Sequence, residues 1–520
     1  MAILASRELT CINDKVKRAE NVTEACKREM HERGCGYVDK LQQSYRNNDY
    51  LIKSIGKCLE HTKMCDIEDM VTSGNRLGMC PYYAEQQLAK EATIIFCPYN
   101  FLLDPIIRHR MRLDLTNDVV IIDEAHNIED CCRSVLTADF GVNEIENCRV
   151  KFSDLAKQDE DYEFNQPLYM FLEDITEWIN NKIRDIEVTD ISGEEAVQEL
   201  FLYAGLNPSF LTYLLAYEDI KDSARSVILC SGTLAPMDSF QCELSSVFTH
   251  TLEGQHVVGP TRCRVINIVK GPSGISFYGV YSKMYSNDYI VELGKTIIAI
   301  CRVVPAGIIC FVPSYKFMNL CCDVWKDCSI WNEISVIKTV LVEPKTMKEV
   351  SNIMKIIRRA SGDRNSGTLL LAVFRGKFAE GIDFRDDDAR AIITVGIPFP
   401  SVQDKKIVMK RRFNDAIRLQ NPDSQTLAGS AWYGVQAYRA INQALGRGLR
   451  HSLDWAALIL IDSRFNDLSF RKGLSKWIHK GLTNHEQICA AHSSQQTDNE
   501  YFGATMQCLQ SFTSNCANLP

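Results

Sequence analysis

The 520-residue sequence has little of what marks a membrane, secreted or fibrous protein. No stretch reaches the roughly 18 uninterrupted apolar residues of a membrane span, and the best candidate, residues 296–315, is broken by Arg302, Pro305 and Pro313. The first ten residues carry Arg7 and Glu8 and no long apolar core, so a secretory signal is not predicted. With 46% hydrophobic and 24% charged residues, the composition is globular, and the length predicts about two to four domains.

An excess of positive charge is also lacking, since the net charge is -8. Bulk charge therefore does not indicate a nucleic-acid-binding protein, and any binding of a polyanion must use local basic surfaces. The clearest basic run holds Lys405, Lys406, Lys410, Arg411 and Arg412. Contact with phosphates and a solvated helix face are equally good interpretations of this run.

A phosphate-binding loop of the form G-x-x-x-x-G-K-[ST] is not found in the sequence. The Gly-Lys-Thr at residues 294–296 has Tyr289 where the first glycine is required, and it lies in a helix-like apolar pattern. The Gly-Lys at residues 56–57 has Leu51 at that position. The amides and the lysine of this loop hold the phosphates of ATP, so we do not expect productive ATP hydrolysis by this polypeptide alone.

Cysteine, by contrast, is abundant, with 21 residues in the chain. Nothing points to secretion, and a disulfide framework is unlikely in a reducing compartment. The early cysteines lie among charged residues, which favours metal binding over core packing. None of their spacings is C-x-x-C, so zinc and an iron–sulfur cluster both remain open. Six of them fall within the first 80 residues: Cys11, Cys26, Cys35, Cys58, Cys65 and Cys80.

The strongest chemical motif follows the apolar run Val119–Ile122, which predicts a buried parallel strand. The run is followed by Asp123-Glu124-Ala125-His126. Open α/β sheets bind ligands at the carboxyl ends of their strands. We interpret Asp123 as a ligand of Mg²⁺ through water, Glu124 as the residue that orients an attacking water, and His126 as a relay to a neighbouring domain.

A second motif comprises Gln443, Gly446, Arg447 and Arg450 and follows a helical pattern at residues 432–445. Arginines three residues apart are predicted to share one helix face. Two guanidinium groups on one face suit stabilisation of a transferring γ-phosphate. Taken alone, a solvated basic helix end would be the better interpretation.

Together these segments resemble the XPD-like branch of the superfamily-two DEAH helicases, which carry an iron–sulfur domain. The resemblance runs from residue 1 to about residue 481. The resembling segments, in family order, are Ala5-Ser6-Arg7 (motif Ia), Asp123-Glu124-Ala125-His126 (motif II), Ser231-Gly232-Thr233 (motif III), Cys310-Phe311-Val312-Pro313-Ser314-Tyr315 (motif IV), Arg375-Gly376-Lys377 with Glu380-Gly381-Ile382-Asp383-Phe384 (motif V), and Gln443, Gly446, Arg447 and Arg450 (motif VI).

The resemblance implies an α/β fold with two RecA-like parallel-sheet domains, the first incomplete, plus an iron–sulfur insertion and a mainly helical Arch insertion. Motif I is absent, so we expect an N-terminally incomplete helicase sequence. The polar tail is expected to be disordered. The implied domains are residues 1–10 as a remnant of the first RecA-like domain, 11–85 for the cluster, 86–137 for the first domain with motif II, 138–222 for the Arch, 223–245 for the end of the first domain, 246–485 for the second domain and 486–520 for the tail.

The resemblance also implies the ligands. A [4Fe–4S] cluster would be held by Cys11, Cys26, Cys35 and Cys80. ATP with Mg²⁺ would be bound by the residues Asp123, Gly381, Asp383, Arg447 and Arg450.

The function implied is that of an ATP-dependent 5′ to 3′ DNA helicase in nuclear DNA repair of the interstrand-crosslink type. Its substrates would be single-stranded or forked DNA, with DNA-repair proteins as partners. The alternative is a non-catalytic isoform that binds DNA or a repair partner without hydrolysing ATP.

Overall fold

The computed structural model describes residues 1–45, 66–136, 142–156, 162–184, 216–234, 237–244, 246, 248–254, 256–361, 367–379, 381–422, 426–482 and 498–517. The predicted Gly56-Lys57, Cys58, Cys65 and Glu380 lie outside these residues. Contacts divide the chain into two compact units, Met1–Leu229 and Cys230–Pro520. No helix among the described residues is long and apolar enough to cross a membrane.

The first unit is mainly helical and contains two short pairs of parallel strands. Strand β1 pairs with β2, and β3 pairs with β4. The strands are β1 (Ala2–Ile3), β2 (Ile95–Phe96), β3 (Val119–Ile122) and β4 (Ser226–Leu229). The helices are α1 (Arg7–Thr10), α2 (Asp14–Lys17), α3 (Val22–Glu32), α4 (Gly36–Tyr45), α5 (Ile67–Leu77), α6 (Pro81–Ala89), α7 (Tyr99–Leu103), α8 (Pro105–Met111), α9 (Ile128–Leu136), α10 (Val142–Ala156), α11 (Tyr162–Arg184) and α12 (Ala216–Ser223).

Strand β3 forms where the apolar run predicted it and is parallel, but it is buried on one face only. Val120 and Ile122 are buried, whereas Val119 and Ile121 are 47% and 63% exposed. The prediction of a strand buried on both faces is therefore wrong for the described residues. Successive side chains point to opposite faces of a strand, and the described helices cover one face of this two-stranded pair.

The region predicted as an Arch is helical where it is described. Helices α10 and α11 pack together, with Ile145 and Ile175 buried. Arg149 donates to Glu146 at 2.6 Å and lies 3.9 Å from Glu173 of the second helix. The identity of this region as an Arch stays a prediction.

The second unit is built on a six-stranded sheet in which every pair of neighbours is parallel. The strand order is β5-β10-β9-β6-β8-β7. The strands are β5 (Cys263–Asn267), β6 (Ile308–Val312), β7 (Thr339–Val342), β8 (Thr368–Val373), β9 (Ala391–Val395) and β10 (Ala456–Ile461). The helices are α13 (Met237–Glu243), α14 (Tyr281–Met284), α15 (Asn287–Val303), α16 (Tyr315–Asp327), α17 (Ile330–Ile337), α18 (Met347–Ser361), α19 (Lys405–Gln420), α20 (Gly429–Gly446), α21 (Leu468–Arg471) and α22 (Asp498–Ala517).

Helices cover both faces of this sheet, which confirms the predicted α/β class. Alternate residues of β6 enter different cores: Ile308 and Cys310 pack on one side, and Ile309 and Phe311 on the other. A strand buried on both faces has few polar positions, which explains why β6 and β10 are continuous apolar runs and why β8 and β9 contain only one threonine each, Thr368 and Thr394. The Gly-Lys-Thr at residues 294–296 lies within α15, as its pattern predicted.

The prediction of a disordered tail over residues 486–520 is wrong for residues 498–517, which form helix α22. Phe502, Leu509, Phe512 and Cys516 are buried in the same core as β6. These four residues recur at helical spacing within a polar sequence, so one apolar stripe is enough to hold the helix on the sheet. The tail is polar on average, so its composition alone did not indicate this apolar stripe.

Candidate functional site

The predicted motif II residues lie in the turn that follows β3. The Glu124 amide donates to Asp123 Oδ1 at 2.9 Å, and the Tyr99 hydroxyl donates to the Asp123 carbonyl. Glu124 has a φ of 49°, in the left-handed region that side chains other than glycine rarely adopt. Such backbone strain concentrates at functional sites, where the surrounding structure fixes it.

His126 is the largely buried polar side chain of this turn. Its Nδ1 lies 3.3 Å from Glu124 Oε2, and the His126 side chain is 8% exposed against 57% for Glu124. The imidazole can therefore fix the direction of a carboxylate that reaches solvent. This geometry suits the predicted role of Glu124 in orienting water, although the role itself stays a prediction.

Motifs V and VI meet in the second unit. Arg447 Nε donates to the Ala379 carbonyl at 2.8 Å, and its Nη1 donates to the Ile382 carbonyl at 3.4 Å. Arg450 Nη2 donates to the same Ile382 carbonyl at 3.2 Å, and its Nε lies 3.0 Å from Asp383 Oδ1. The structure thus brings together two motifs that lie about 65 residues apart in the sequence.

The two arginines do not lie on one helix face, so that expectation is wrong. Helix α20 ends at Gly446, Arg447 is its C-cap residue, and Arg450 lies beyond it. Their guanidinium groups converge because both bind the backbone of motif V, not because of helical spacing. Gln443 lies within the last turns of the helix.

The Asp383 carboxylate supplies the negative charge in the contact between motifs V and VI. A hydrogen bond from Arg385, with Nε 2.6 Å from Asp383 Oδ2, lowers the pKa of the carboxyl, and the charge of Arg450 adds to the shift. Gly381 precedes it with a φ of 73° and has open space where a Cβ would lie. The positive φ explains why a glycine occupies this position of the loop, while Asp383 holds an arginine.

The four predicted cluster cysteines lie together. Cys11, Cys26, Cys35 and Cys80 line one cavity in the first unit, between helices α1, α3, α4 and α6. Asn13 Nδ2 donates to Cys35 Sγ at 3.8 Å. Cys35 is thus placed beside the other three cysteines.

The donor set fits a metal centre. Burial raises the pKa of the Cys80 thiol to about 11, while the amides of Tyr83 and Tyr82 at the start of α6 donate to it and oppose the shift. Burial also raises the pKa of the Cys11 thiol. Thiols bind metal as thiolates, so a bound cation supplies the positive charge that these buried groups otherwise lack.

That these four cysteines hold an iron–sulfur cluster stays a prediction from the family resemblance. Among the described residues, three or more ligand atoms within 4.8 Å of one another occur only for Asp386, His451 and Asp454. The Asp386 group is not assigned to a metal, because Arg390 already donates to Asp454 at 2.7 Å.

Sequence reasoning missed Glu343, a buried carboxylate directly after β7. It accepts hydrogen bonds from the Tyr315 hydroxyl at 2.7 Å, the Val373 amide at 2.8 Å and the Lys377 amide at 2.7 Å. A Cβ on Gly376 would collide with its Oε1. Glu343 therefore joins motif IV to motif V. Its position could have been predicted from the sequence, because Glu343 follows an apolar run directly, as Asp123 does.

Comparison with known proteins identifies the family. Residues 1–145 match the DEAD_2 model, and residues 297–481 match the Helicase C-terminal domain model. The Fanconi anemia group J protein homolog of Gallus gallus is 31% identical over 100% of this chain and 50% of its own length. The chain belongs to the XPD-like helicases of superfamily two. This confirms the resemblance, and the two family models match one segment in each unit.

Further relatives carry helicase names as well. The Regulator of telomere elongation helicase 1 homolog of Drosophila yakuba is 29% identical over 93% of this chain and 60% of its own length. A solved XPD helicase has a TM-score of 0.49 and 18% identity, covering 81% of this chain and 80% of that one. The chain spans about half to three fifths of the length of the curated relatives it matches.

Proposed function

We propose that the protein is an ATP-dependent DNA helicase of the iron–sulfur type that moves 5′ to 3′ in nuclear DNA repair. Residues Asp123, Glu124 and His126 would supply the magnesium and water-orienting part of its nucleotide site. Arg447 and Arg450 would supply charge stabilisation during phosphoryl transfer. Relatives named for Fanconi anemia group J and for telomere elongation support DNA as the substrate and the nucleus as the location.

The observation that carries this proposal is the contact between motifs V and VI. Arg447 and Arg450 both bind the Ile382 carbonyl, and Arg450 also pairs with Asp383. Any shift of the motif V loop is therefore passed to both guanidinium groups. A motor needs this coupling, because nucleotide chemistry must be transmitted to the segments that hold the strand.

We propose that Cys11, Cys26, Cys35 and Cys80 hold a [4Fe–4S] cluster. Four thiolate ligands are the usual set for such a cluster, and when bound it cross-links the segments that carry them. These segments are the loop after α1, helix α3, the start of α4 and the N-terminus of α6. Arg7 reinforces the same region, since its guanidinium lies 4.0 Å from the centre of the Tyr82 ring.

The domain boundaries inferred from the family are part of the proposal. The first RecA-like domain would contain β1 to β4, and the second would contain the six-stranded sheet. The helices at residues 142–184 would belong to an Arch, and interstrand-crosslink repair with repair-protein partners would be the cellular setting.

The test is ATP hydrolysis measured with and without single-stranded DNA. Turnover stimulated by DNA and abolished by Glu124→Gln supports a motor. Because the 520 residues hold no phosphate-binding loop, the assay is run on this chain and on a chain extended upstream to include one. Failure of the extended chain to hydrolyse ATP in the presence of DNA would sink the motor proposal.

A second candidate function is a binding module that holds single-stranded DNA or a repair partner without turnover. The missing phosphate-binding loop is the observation that favours it. It predicts single-stranded DNA binding by the 520-residue chain with no DNA-stimulated hydrolysis by that chain. Turnover that vanishes in Glu124→Gln would exclude it.

A further inference from the structure

An exposed aromatic stack lies at the carboxyl end of the central sheet of the second unit. The rings of Phe399 and Tyr433 stack with centroids 5.3 Å apart and planes 21° apart. Phe399 is 38% exposed. The Arg411 guanidinium lies 4.9 Å from the centre of the Tyr433 ring. A large ring held partly in solvent beside a cation is a feature of binding surfaces rather than of a core.

The stack is held in place before any ligand binds. The Tyr433 hydroxyl donates to the Pro400 carbonyl at 2.6 Å, which ties α20 to the loop that follows β9. Arg375 donates to the Pro398 carbonyl at 3.2 Å and to the Gln436 carbonyl at 2.6 Å, which ties the same loop to motif V. Because the loop is fixed from two sides, the Phe399 ring loses little freedom when it binds a partner.

The charge around the stack suits a polyanion. Residues 405–413, at the start of α19, hold five basic residues and no acidic residue, in a chain whose net charge is -8. Lys405, Lys406 and Arg412 are exposed. A second exposed aromatic, Phe413 at 57%, has Lys410 Nζ 5.6 Å from its ring centre. Exposed rings alternating with cations are what single-stranded nucleic acids require, since bases stack on rings while phosphates pair with cations.

We propose that Phe399, backed by Tyr433 and Arg411, is a stacking platform for one base of a single-stranded nucleic acid whose phosphates bind the basic start of α19. The proposal deepens the proposed function, because it rests on a nucleic-acid strand as substrate. It assigns the otherwise ambiguous basic run to phosphate contact. An apolar protein segment would fit the rings but would leave the concentration of positive charge unexplained.

The test is fluorescence anisotropy of labelled oligonucleotides with the full chain. Phe399→Ala is expected to weaken binding about 5-fold to 100-fold, which is the usual range for loss of one base stack. Phe399→Trp is expected to restore binding, with indole fluorescence quenched by the strand. The matched control is Val402→Ala, which removes an exposed apolar side chain, 61% exposed, from the same loop.

An abasic oligonucleotide separates stacking from a structural effect. Without bases, wild type and Phe399→Ala should bind equally, and Arg411→Gln should still weaken binding through lost charge. Matched DNA and RNA strands show which sugar the surface prefers, and a loss in Phe399→Ala with either strand supports the platform. Wild-type binding that Phe399→Ala leaves unchanged, or that Val402→Ala weakens as much, would overturn it. A wild-type chain that binds neither strand would instead contradict the proposed function.

Discussion

Arg450 and Asp383 form an ion pair, with Nε and Oδ1 3.0 Å apart, between the segment after helix α20 and the motif V loop. The other Asp383 oxygen pairs with Arg385 at 2.6 Å. One carboxylate therefore joins an arginine of motif VI to a loop whose backbone also binds Arg447. This arrangement makes the position of both motif VI arginines depend on motif V.

A double-mutant cycle measures that dependence. We expect Asp383→Asn and Arg450→Gln each to lower the free energy of unfolding, with a coupling of about 0.5–1 kcal/mol, because the pair is partly exposed and screened by solvent. Urea unfolding of the two single variants and the double variant gives the coupling. Arg385→Gln, on the far oxygen, serves as the control, and a coupling indistinguishable from zero would mean that the pair does not hold the loop.

The cluster proposal predicts the metal content of cysteine variants. Iron should be bound by the wild-type chain purified without oxygen and should be lost in Cys80→Ser and in Cys35→Ser, since each removes one of four ligands. Cys97→Ser removes a thiol that does not line the cavity and should keep its iron. Elemental analysis decides between the alternatives: stoichiometric zinc without iron would contradict the cluster, and full iron in Cys35→Ser would remove that residue from the ligand set.

The burial of Glu85 predicts that the free energy of unfolding depends on pH. Burial raises its pKa to about 7, despite a hydrogen bond of 3.1 Å from the Ile3 amide to its carboxylate. The pKa of an unfolded glutamate is about 4.3, so folding favours the neutral acid. Its contribution is fully present below about pH 4 and is lost as pH rises through about 7.

Between about pH 5 and pH 8, the free energy of unfolding of the wild type should therefore fall by about 2–3 kcal/mol more than that of Glu85→Gln. Thermal or denaturant unfolding at these two pH values measures the difference. Glu91→Gln removes an exposed carboxylate just beyond the same helix and is the control. Equal pH profiles for wild type and Glu85→Gln would show that this carboxyl is not buried in solution.

The packing of helix α22 predicts that a single substitution in this mostly polar segment greatly lowers the stability of the protein. Phe512 is buried and meets the Trp455 ring edge-on, with centroids 5.9 Å apart. We expect Phe512→Ala to cost about 3–5 kcal/mol, the usual range for an emptied aromatic site in a core. The exposed Gln507→Ala on the same helix should have little effect. Calorimetry of both variants tests this, and a silent Phe512→Ala would restore the expectation of a disordered tail.

The parts of the fold that sequence predicted are those in which local pattern decides the outcome. Strands β6, β8, β9 and β10 are buried on both faces, so β6 and β10 are unbroken apolar runs and β8 and β9 are apolar except for one threonine each. The helix at residues 498–517 was not predicted because the burial of four side chains outweighs a polar average. The one-sided burial of β3 depends on which elements cover it, and no local pattern contains that information.

In the candidate site, too, some features could be predicted from local sequence and others depend on tertiary packing. Asp123 and Glu124 were predictable because open α/β sheets place ligand-binding carboxylates directly after their strands. The four cysteines needed the family resemblance, since spacing alone left zinc and iron–sulfur open. The convergence of Arg447 and Arg450 on Ile382 was not predictable from their spacing, because a loop over 60 residues away sets it. Glu343 and the stack of Phe399 on Tyr433 are likewise products of tertiary packing.

Whether this chain holds a DNA strand is decided by its affinity for a single-stranded oligonucleotide. We expect the chain to bind a single strand more tightly than a blunt duplex. Binding should weaken steeply between about 50 mM and 200 mM salt, because local cations hold the phosphates. Absence of binding at the lower salt concentration, or equal affinity for the blunt duplex, would contradict the assignment of this chain as the strand-binding part of a DNA helicase.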